Sequence, residues 1–383
     1  MLYTLLVWGI YLVFLPLILL FSFKKKYRES IPARFFLWRN PPLPENRIWF
    51  HACSFGETRA LKPLIEAFGE EETALTTTTQ TGYSEAKKLA KAVRYLPFEP
   101  LLWFWIKPQK ALVVMEAELW YLLFYLAKRR GAKTFLINAR ISDRSYRNYR
   151  RIGWFYRKIF SQIDAVYAQS EKDKVRLEEL GAVNVQVTGN IKLAQPAKPT
   201  KLYPKPAGIV VTAASTHEGE EEGIVKAFIA WRERHPDAKL IVVPRHPERF
   251  DRVAVMLEKA SSQHGLRFGR WSETASLEYD IVLVDVMGEL VNMYAISDIV
   301  VLGGAFAPVG GHNPAEVLPF GCRLVSGYEI FNQQAMFSAV EGAIFSDLDD
   351  LTKALDAALA AEPLRLKTPL SLEPVLKGIR DVV

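Results

Sequence analysis

From residue 47 onward the chain twice settles into the same alternation: short apolar, β-branched runs separated by stretches whose apolar residues recur at helical spacing. Short apolar runs bounded by turn signals read as buried strands, and strand–helix alternation commits a chain to parallel sheets covered by helices. The first series has strand candidates at 47–53, 73–77, 111–115, 133–138, 165–168 and 185–188, with helical stretches such as 58–68, 84–92 and 172–180. A connector containing proline and lysine, 195–208, interrupts it. The second series has strands at 209–213, 239–243, 281–283, 299–302 and 323–326, with helices such as 220–234. The expected class is α/β, with two doubly wound domains facing an interdomain cleft, and ligands beyond the C-terminal ends of the strands. A length of 383 residues suits two domains of ordinary size.

The start of the chain differs. Residues 1–23 contain no charged side chain, and Lys24, Lys25, Lys26 and Arg28 follow at once. About 20 apolar residues suffice to cross a bilayer's hydrocarbon layer. A cleaved signal peptide carries its positive charge before the apolar run, whereas here it comes after, which holds the rest of the chain on the cytoplasmic face. Pro16 leaves open a kinked or partly inserted helix. The expected division is an anchor at 1–23, a first α/β domain at 24–195, a linker at 196–208 and a second α/β domain at 209–383. The net charge of +7 favours anionic partners. Aromatic residues do not interleave with a basic stripe, so a nucleic-acid platform is not expected. Cys53 and Cys322 lack metal-ligand spacing and are expected to be free thiols in a reducing compartment.

Several loops after strands carry residues suited to chemistry. In the second half, a strand runs into Gly303-Gly304 and Gly310-Gly311 before Asn313-Pro314 opens an expected helix. Glycines let backbone approach an anion, Asn313 can cap, and Pro314 suits the first helical position. Glu316 in the first turn could accept from a ribose, or merely favour the helix dipole. In the first half, His-Ala-Cys-Ser-Phe-Gly-Glu (51–57) places Glu57 at a helix start, as a general base or as a dipole-stabilised acid. The hydroxyls of 76–81 fit phosphate, sugar or a helix cap. Glu116 and Glu118 follow an apolar strand, where packing alone gives little reason for acids. Arg140 and Arg144 suit anions. Lys192 closes the first half, as a functional cation or a surface lysine. Beyond later strands come Ser215 to Glu220, the turn holding Pro244 and Arg245, and Met287-Gly288-Glu289. Arg245 is suited to bidentate phosphate binding, and Gly288 to a flat base ring or a capped helix start. Serine-hydrolase and zinc-protease signatures are absent, and six scattered histidines make no evident metal site.

Taken together these segments resemble the Kdo transferase family of lipopolysaccharide synthesis, glycosyltransferases of the GT-B type built from two Rossmann-like domains. The likeness rests on the apolar start and on His-Ala-x-Ser-x-Gly-Glu (51–57), Thr-Gly (81–82), Tyr-Leu-Pro (95–97), Asn-Ala-Arg (138–140) and Val-Thr-Gly (187–189). It continues through Ser-Thr-His-Glu-Gly-Glu-Glu (215–221), Pro-Arg-His-Pro-Glu-Arg-Phe (244–250), Met-Gly-Glu-Leu (287–290) and Gly-Gly-His-Asn-Pro (310–314). The resemblance implies transfer of 3-deoxy-D-manno-octulosonate (Kdo) from CMP-Kdo to a lipid A precursor, lipid IVA, with inversion, at the inner membrane. It implies Glu57 as general base and Glu116 and Lys192 as transition-state stabilisers. It also implies Pro244, Arg245, Met287, Gly288, Glu289, Asn313, Pro314, Ala315 and Glu316 as donor-binding residues, with no metal or separate cofactor. The family usually has Glu-Thr-Glu-Leu-Trp-Pro-Asn where this chain has Glu-Ala-Glu-Leu-Trp-Tyr-Leu (116–122). The rival readings are a glycosyltransferase using another nucleotide sugar, and a non-catalytic membrane-bound nucleotide or nucleic-acid binder.

Overall fold

The structure, a computed structural model, describes residues 2–25, 27–194 and 197–383. Lys26 of the expected basic cluster, and Gln195 and Pro196 at the expected domain boundary, lie outside the described residues. The chain forms two compact units: Met1–Gln195 with Thr368–Val383, and Pro196–Lys367.

Unit 1 is built on seven parallel strands, β1 (Ile48–His51), β2 (Thr73–Thr77), β3 (Ala92–Tyr95), β4 (Ala111–Met115), β5 (Lys133–Ala139), β6 (Ala165–Ala168) and β7 (Val185–Val187), in the order β3-β2-β1-β4-β5-β6-β7. β1, β2 and β4 are buried along their whole length, because helices cover both faces. β3 is not among the expected strands, and only its first residue, Ala92, falls in the helical stretch expected at 84–92. It is an edge strand whose burial alternates, so Arg94 points outward and the four residues lack a continuous apolar run. The helix expected at 58–68 is two, α3 (Phe55–Ala60) and α4 (Lys62–Phe68), after α1 (Leu2–Ser22) and α2 (Ser30–Phe36). Pro63 lacks the N–H that a continuous helix needs there. α5 (Gln80–Ala86) follows β2. α1 runs unbroken through Pro16.

The last sixteen residues correct the expected division, which placed them in the second domain. Helix Glu373–Arg380 buries Val375 and Ile379 among Ile48, Leu64, Phe135 and Tyr167 of unit 1. Ser371 N–H donates to Thr188 C=O at 3.0 Å. Two buried aliphatic side chains contribute about 1.5–3 kcal/mol each, which ties the segment to unit 1.

Unit 2 repeats the plan: β8 (Val210–Thr216), β9 (Lys239–Pro244), β10 (Phe268–Arg270), β11 (Ile281–Leu283), β12 (Ile299–Leu302) and β13 (Arg323–Ser326). A two-strand antiparallel ladder of β14 (Val340–Glu341) and β16 (Arg365–Leu366) flanks β15 (Ala343–Phe345). The main sheet is parallel, in the order β10-β11-β9-β8-β12-β13-β15. In each unit the first strand has its successor on one side and a later strand on the other. The gap between β1 and β4, and that between β8 and β12, are the switch points where doubly wound sheets take ligands.

The helix expected to open at Asn313-Pro314 does not form. Two 3₁₀ turns, Pro314–Glu316 and Leu318–Phe320, stand in its place, and Pro319 supplies no N–H to carry a helix onward. Asn313 does cap, its side chain accepting from Ala315 N–H at 3.1 Å. The anion-binding capacity expected of a helix terminus there rests instead on loop backbone.

Candidate active site

At the switch point of unit 1, β1 ends in a loop that Glu57 folds over. Ser54 caps α3 and Glu57, three residues on, closes the capping box: Glu57 N–H donates to Ser54 Oγ at 3.3 Å, and Cys53 N–H donates to Glu57 Oε2 at 2.9 Å. Ser54 Oγ–H also donates to Glu57 Oε1 at 2.6 Å. The dipole-and-cap explanation of Glu57 is therefore realised. It is compatible with a further role, since each carboxylate oxygen keeps a second lone-pair direction. Gly82, at the start of α5, allows that helix to lie against the same loop: a Cβ there would meet Thr79 Oγ1 at 2.9 Å and Cys53 O at 3.2 Å. The hydroxyl-rich segment serves the same packing, Thr79 Oγ1 accepting from Gly82 N–H and donating to Cys53 C=O at 2.8 Å.

Across the switch point, Glu116 stands at the end of β4 with φ of 57°. Lys192 comes from the turn after β7, and its Nζ lies 2.5 Å from Glu116 Oε1. Asn138 fixes both: its Nδ2–H donates to Glu116 Oε1 at 3.5 Å and its Oδ1 accepts from Ile191 N–H at 2.9 Å. α3 packs on the turn that carries Lys192. The three expected catalytic residues thus meet at one end of one sheet. Arg140 and Arg144 remain exposed on its rim.

Next to Glu57 lies a group of side chains that sequence reasoning did not join. His51 and Cys53 alternate along a strand, so they share a face, with Nε2 and Sγ 3.8 Å apart. His51 Nδ1 lies 3.1 Å from Thr76 C=O and 2.9 Å from Thr76 Oγ1, which anchors the ring with Nε2 turned toward Cys53. With the Glu118 carboxylate these atoms lie within 4.8 Å of one another, an arrangement able to hold a metal ion. Arg34 already brings positive charge to them. Burial, then the Arg34 charge, depress His51 to about 3, and burial followed by the Glu118 charge pushes the Cys53 thiol well up. At neutral pH His51 is uncharged and Cys53 is a thiol. Arg34 also borders a cavity of about 920 Å³ whose wall includes Tyr27, Phe35, Phe55, Thr79 and Lys88. Phe55 is two residues from Glu57. The cavity joins α2 to the capping loop, mixing aromatic wall with two cations.

In unit 2 the corresponding crevice is held by a carboxylate to which the sequence reading gave no role of its own. Glu220, fully buried, accepts from four backbone N–H groups: His217 at 2.8 Å, Gly304 at 2.9 Å, Phe306 at 3.0 Å and Ala307 at 3.3 Å. It thereby ties the loop after β8 to the glycine loop after β12. Gly303 is required by this closeness, because a Cβ would meet Ser215 O at 2.7 Å and Glu220 Oε2 at 2.8 Å. Its neighbour Glu221 grips Arg249 in a two-pronged pair at 2.6 and 2.9 Å, securing the loop after β9. Adjacent acids after a strand were the available signal.

Among the expected donor-binding residues, Pro244 ends β9 and Arg245 projects into solvent beside His312. His312 Nε2 lies 2.9 Å from His217 Nε2, and burial, then the His217 charge, depress His312 to about 4. Met287 is exposed and Gly288 has φ of 90°. Glu289 turns inward, accepting from Asn292 at 2.7 Å, Tyr203 at 2.9 Å and Lys201 at 3.2 Å. Burial acts to raise its pKa, and those three bonds outweigh it, keeping the carboxyl below the usual range. Its side chain is engaged with Lys201 and Tyr203 of the linker and with Asn292. Pro314 is buried and Glu316 exposed, near Tyr294.

Comparison with known proteins shows which family the chain falls in. The family described as 3-deoxy-D-manno-octulosonic-acid transferase (kdotransferase) is matched over residues 29–195. A 3-deoxy-D-manno-octulosonic acid transferase of Haemophilus influenzae is 33% identical, over 91% of this chain and 89% of that one. One of Bordetella pertussis is 32% identical, over 91% and 90%. Among solved structures, the C-terminal CMP-Kdo binding domain of WaaA from Acinetobacter baumannii is 31% identical, covering 46% of this chain and 89% of that one with a TM-score of 0.36. UDP-GlcNAc 2-epimerase from Neisseria meningitidis bound to UDP-GlcNAc is 11% identical over 88% and 99%, with a TM-score of 0.49. With a match of this extent to characterised sequences, the chain belongs to the 3-deoxy-D-manno-octulosonic acid transferase family.

Proposed function

We propose that this Kdo transferase moves Kdo from CMP-Kdo to a hydroxyl of the lipid A precursor lipid IVA, with inversion at the anomeric carbon. Glu57 takes the acceptor proton as the acceptor oxygen bonds to the anomeric carbon. The bond from that carbon to the CMP phosphate breaks, and its electron pair leaves with the phosphate. Lys192, held by Glu116, opposes the charge that develops on the departing group. Unit 2 takes the nucleotide through Pro244, Arg245, the 287–289 turn and the loop at 313–316, with Arg245 supplying the phosphate's counter-charge. Glu289 then contributes by shaping that turn rather than by its carboxylate. The donor carries its own leaving group, so the chemistry asks for no metal or further cofactor.

One observation carries the reading: Glu57, Glu116 and Lys192 gather at the switch point of unit 1. The cavity of about 920 Å³ alongside has aromatic wall for a lipid and, in Arg34 and Lys88, cations for its phosphates. The apolar helix α1, with a mean hydropathy of 2.5 over Tyr3–Ser22, attaches the enzyme to the cytoplasmic face of the inner membrane, where that acceptor resides. Incubation with CMP-Kdo and lipid IVA, followed by mass analysis of the lipid, tests the assignment. A gain of one or more Kdo masses is expected. Binding of UDP without binding of CMP would transfer the protein to another donor class.

A further inference from the structure

The packing of α1 says how it lies. At its N-terminal end the Tyr3 hydroxyl donates to the buried carboxylate of Glu99, and the ring meets Tyr121 edge-on at 5.3 Å and Phe155 at 5.2 Å. Two turns on, Tyr11 Oη–H donates to Phe35 C=O at 2.5 Å and its ring lies 5.8 Å from that of Phe98. Val7, between them, is buried. Positions 3, 7 and 11 are one stripe of a helix. Near the other end, Phe21 meets Tyr27 edge-on at 6.4 Å, in the turn that leads back into α2. All of these partners belong to unit 1.

A helix of 21 residues is about 31 Å long, close to the roughly 30 Å of a bilayer's hydrocarbon layer. Were α1 to cross, Tyr3 would emerge on the far side from Lys24 and Lys25. Yet Tyr3 is seated on Glu99, Tyr121 and Phe155, parts of the same α/β unit that carries Glu57. The N-terminal half of the helix, from Tyr3 through Tyr11, is seated on that one unit while its C-terminal end leads straight into it, which a crossing orientation does not allow. Resting on the membrane-attached reading above, we propose that α1 lies in the plane of one leaflet. Its stripe of Tyr3, Val7 and Tyr11 packs on unit 1, and its outer face enters the acyl chains.

This placement explains a helix that is apolar all round, unlike an interfacial helix with one charged face. Protein covers one side and lipid the other: Leu5, Leu6, Leu12, Val13 and Leu20 are all at least 60% exposed. Charge at the rim fits an anionic headgroup layer. Lys24 sits over Phe21 and Arg39 over the exposed Trp38, each cation leaning from an apolar base toward phosphate. α2, which follows, lines the proposed acceptor cavity with Ser30, Ile31 and Arg34, so a lipid could enter it from the same leaflet.

The test uses the full chain with an epitope ahead of Met1, reconstituted in sealed vesicles of phosphatidylethanolamine and phosphatidylglycerol, floated and then treated with protease from outside. Expected is flotation, with the epitope lost from every molecule whose two units are digested. A small fragment bearing the epitope that survives until detergent is added would overturn the in-plane orientation. Failure to float would overturn the membrane attachment itself.

Discussion

The two units share a seven-stranded parallel sheet and the same switch-point topology, and they fill the crevice differently. In unit 1 the loops after β1, β4 and β7 bring charged side chains together, Glu57 in its capping box and Glu116 against Lys192. In unit 2 the charge is buried beneath the loops: Glu220 gathers four N–H groups and pins the glycine loop after β12 to the loop after β8. On the proposed reading, one sheet end supplies the proton acceptor and the opposing charge, and the other a shaped loop for the nucleotide. The two sheets differ only in where the fourth strand inserts, beside the first in unit 1 and between the second and third in unit 2, and the distinction at the crevice lies in whether the carboxylate faces outward or inward.

The largest effect expected to sharpen that contrast comes from Glu57→Gln. Loss of a general base lowers transfer about 10²–10⁴-fold, while CMP affinity by titration calorimetry stays as it was. A parallel loss of CMP affinity would break the division of labour between the units. Glu220→Ala comes next. It strands the buried N–H of Gly304, at about 1–3 kcal/mol, and unpairs three part-buried N–H groups beside it, so unit 2 is expected to melt early in calorimetry. Glu220→Gln, which retains the shape, should weaken CMP binding while leaving the unfolding transition of unit 1 in place. Unchanged CMP binding in a folded Glu220→Gln protein would remove its positioning role.

Smaller effects probe packing and protonation. Gly303→Ala drives a methyl group against Ser215 and Glu220 and is expected to cost about 1–3 kcal/mol in denaturant unfolding. In unit 1, where Gly56 has open space around its Cβ position, Gly56→Ala should cost less. The buried histidines set the pH dependence. His51 at about 3 and His312 at about 4 lie below the ordinary 6.5, so each is neutral when folded and takes a proton on unfolding at lower pH. Their contribution is complete above pH 6.5. It declines as pH falls, by at most about 1.4 kcal/mol per pH unit for each, ending near pH 4 for His312 and near pH 3 for His51. Chemical denaturation of His312→Asn beside the parent chain should show a difference that shrinks from pH 7 to pH 4.

Much of this was legible before the coordinates. β2, β4, β6, β11, β12 and β13 fall at their expected boundaries because buried parallel strands are uninterrupted apolar runs between turn residues. Edge strands β3, β10 and β15 were missed, since three or four residues with mixed burial carry no period. The loops holding Glu57, Glu116 and Lys192 were read correctly as strand ends, but only the sheet order brings residues 57, 116 and 192 together. Glu220 was named within its loop but given no role, because three of its four partners are main-chain amides more than 80 residues away, and amides leave no mark in a sequence. The Asn313 helix failed on a single competing signal, Pro319.

The returning segment at 368–383 has a consequence for how the protein is made. Unit 1 draws core residues from the first half of the chain and from its very end, with all of unit 2 inserted between. During synthesis the place kept for Val375 and Ile379 stays open until every residue of the inserted unit has been made. Folding order therefore inverts sequence order: the unit that begins first closes last.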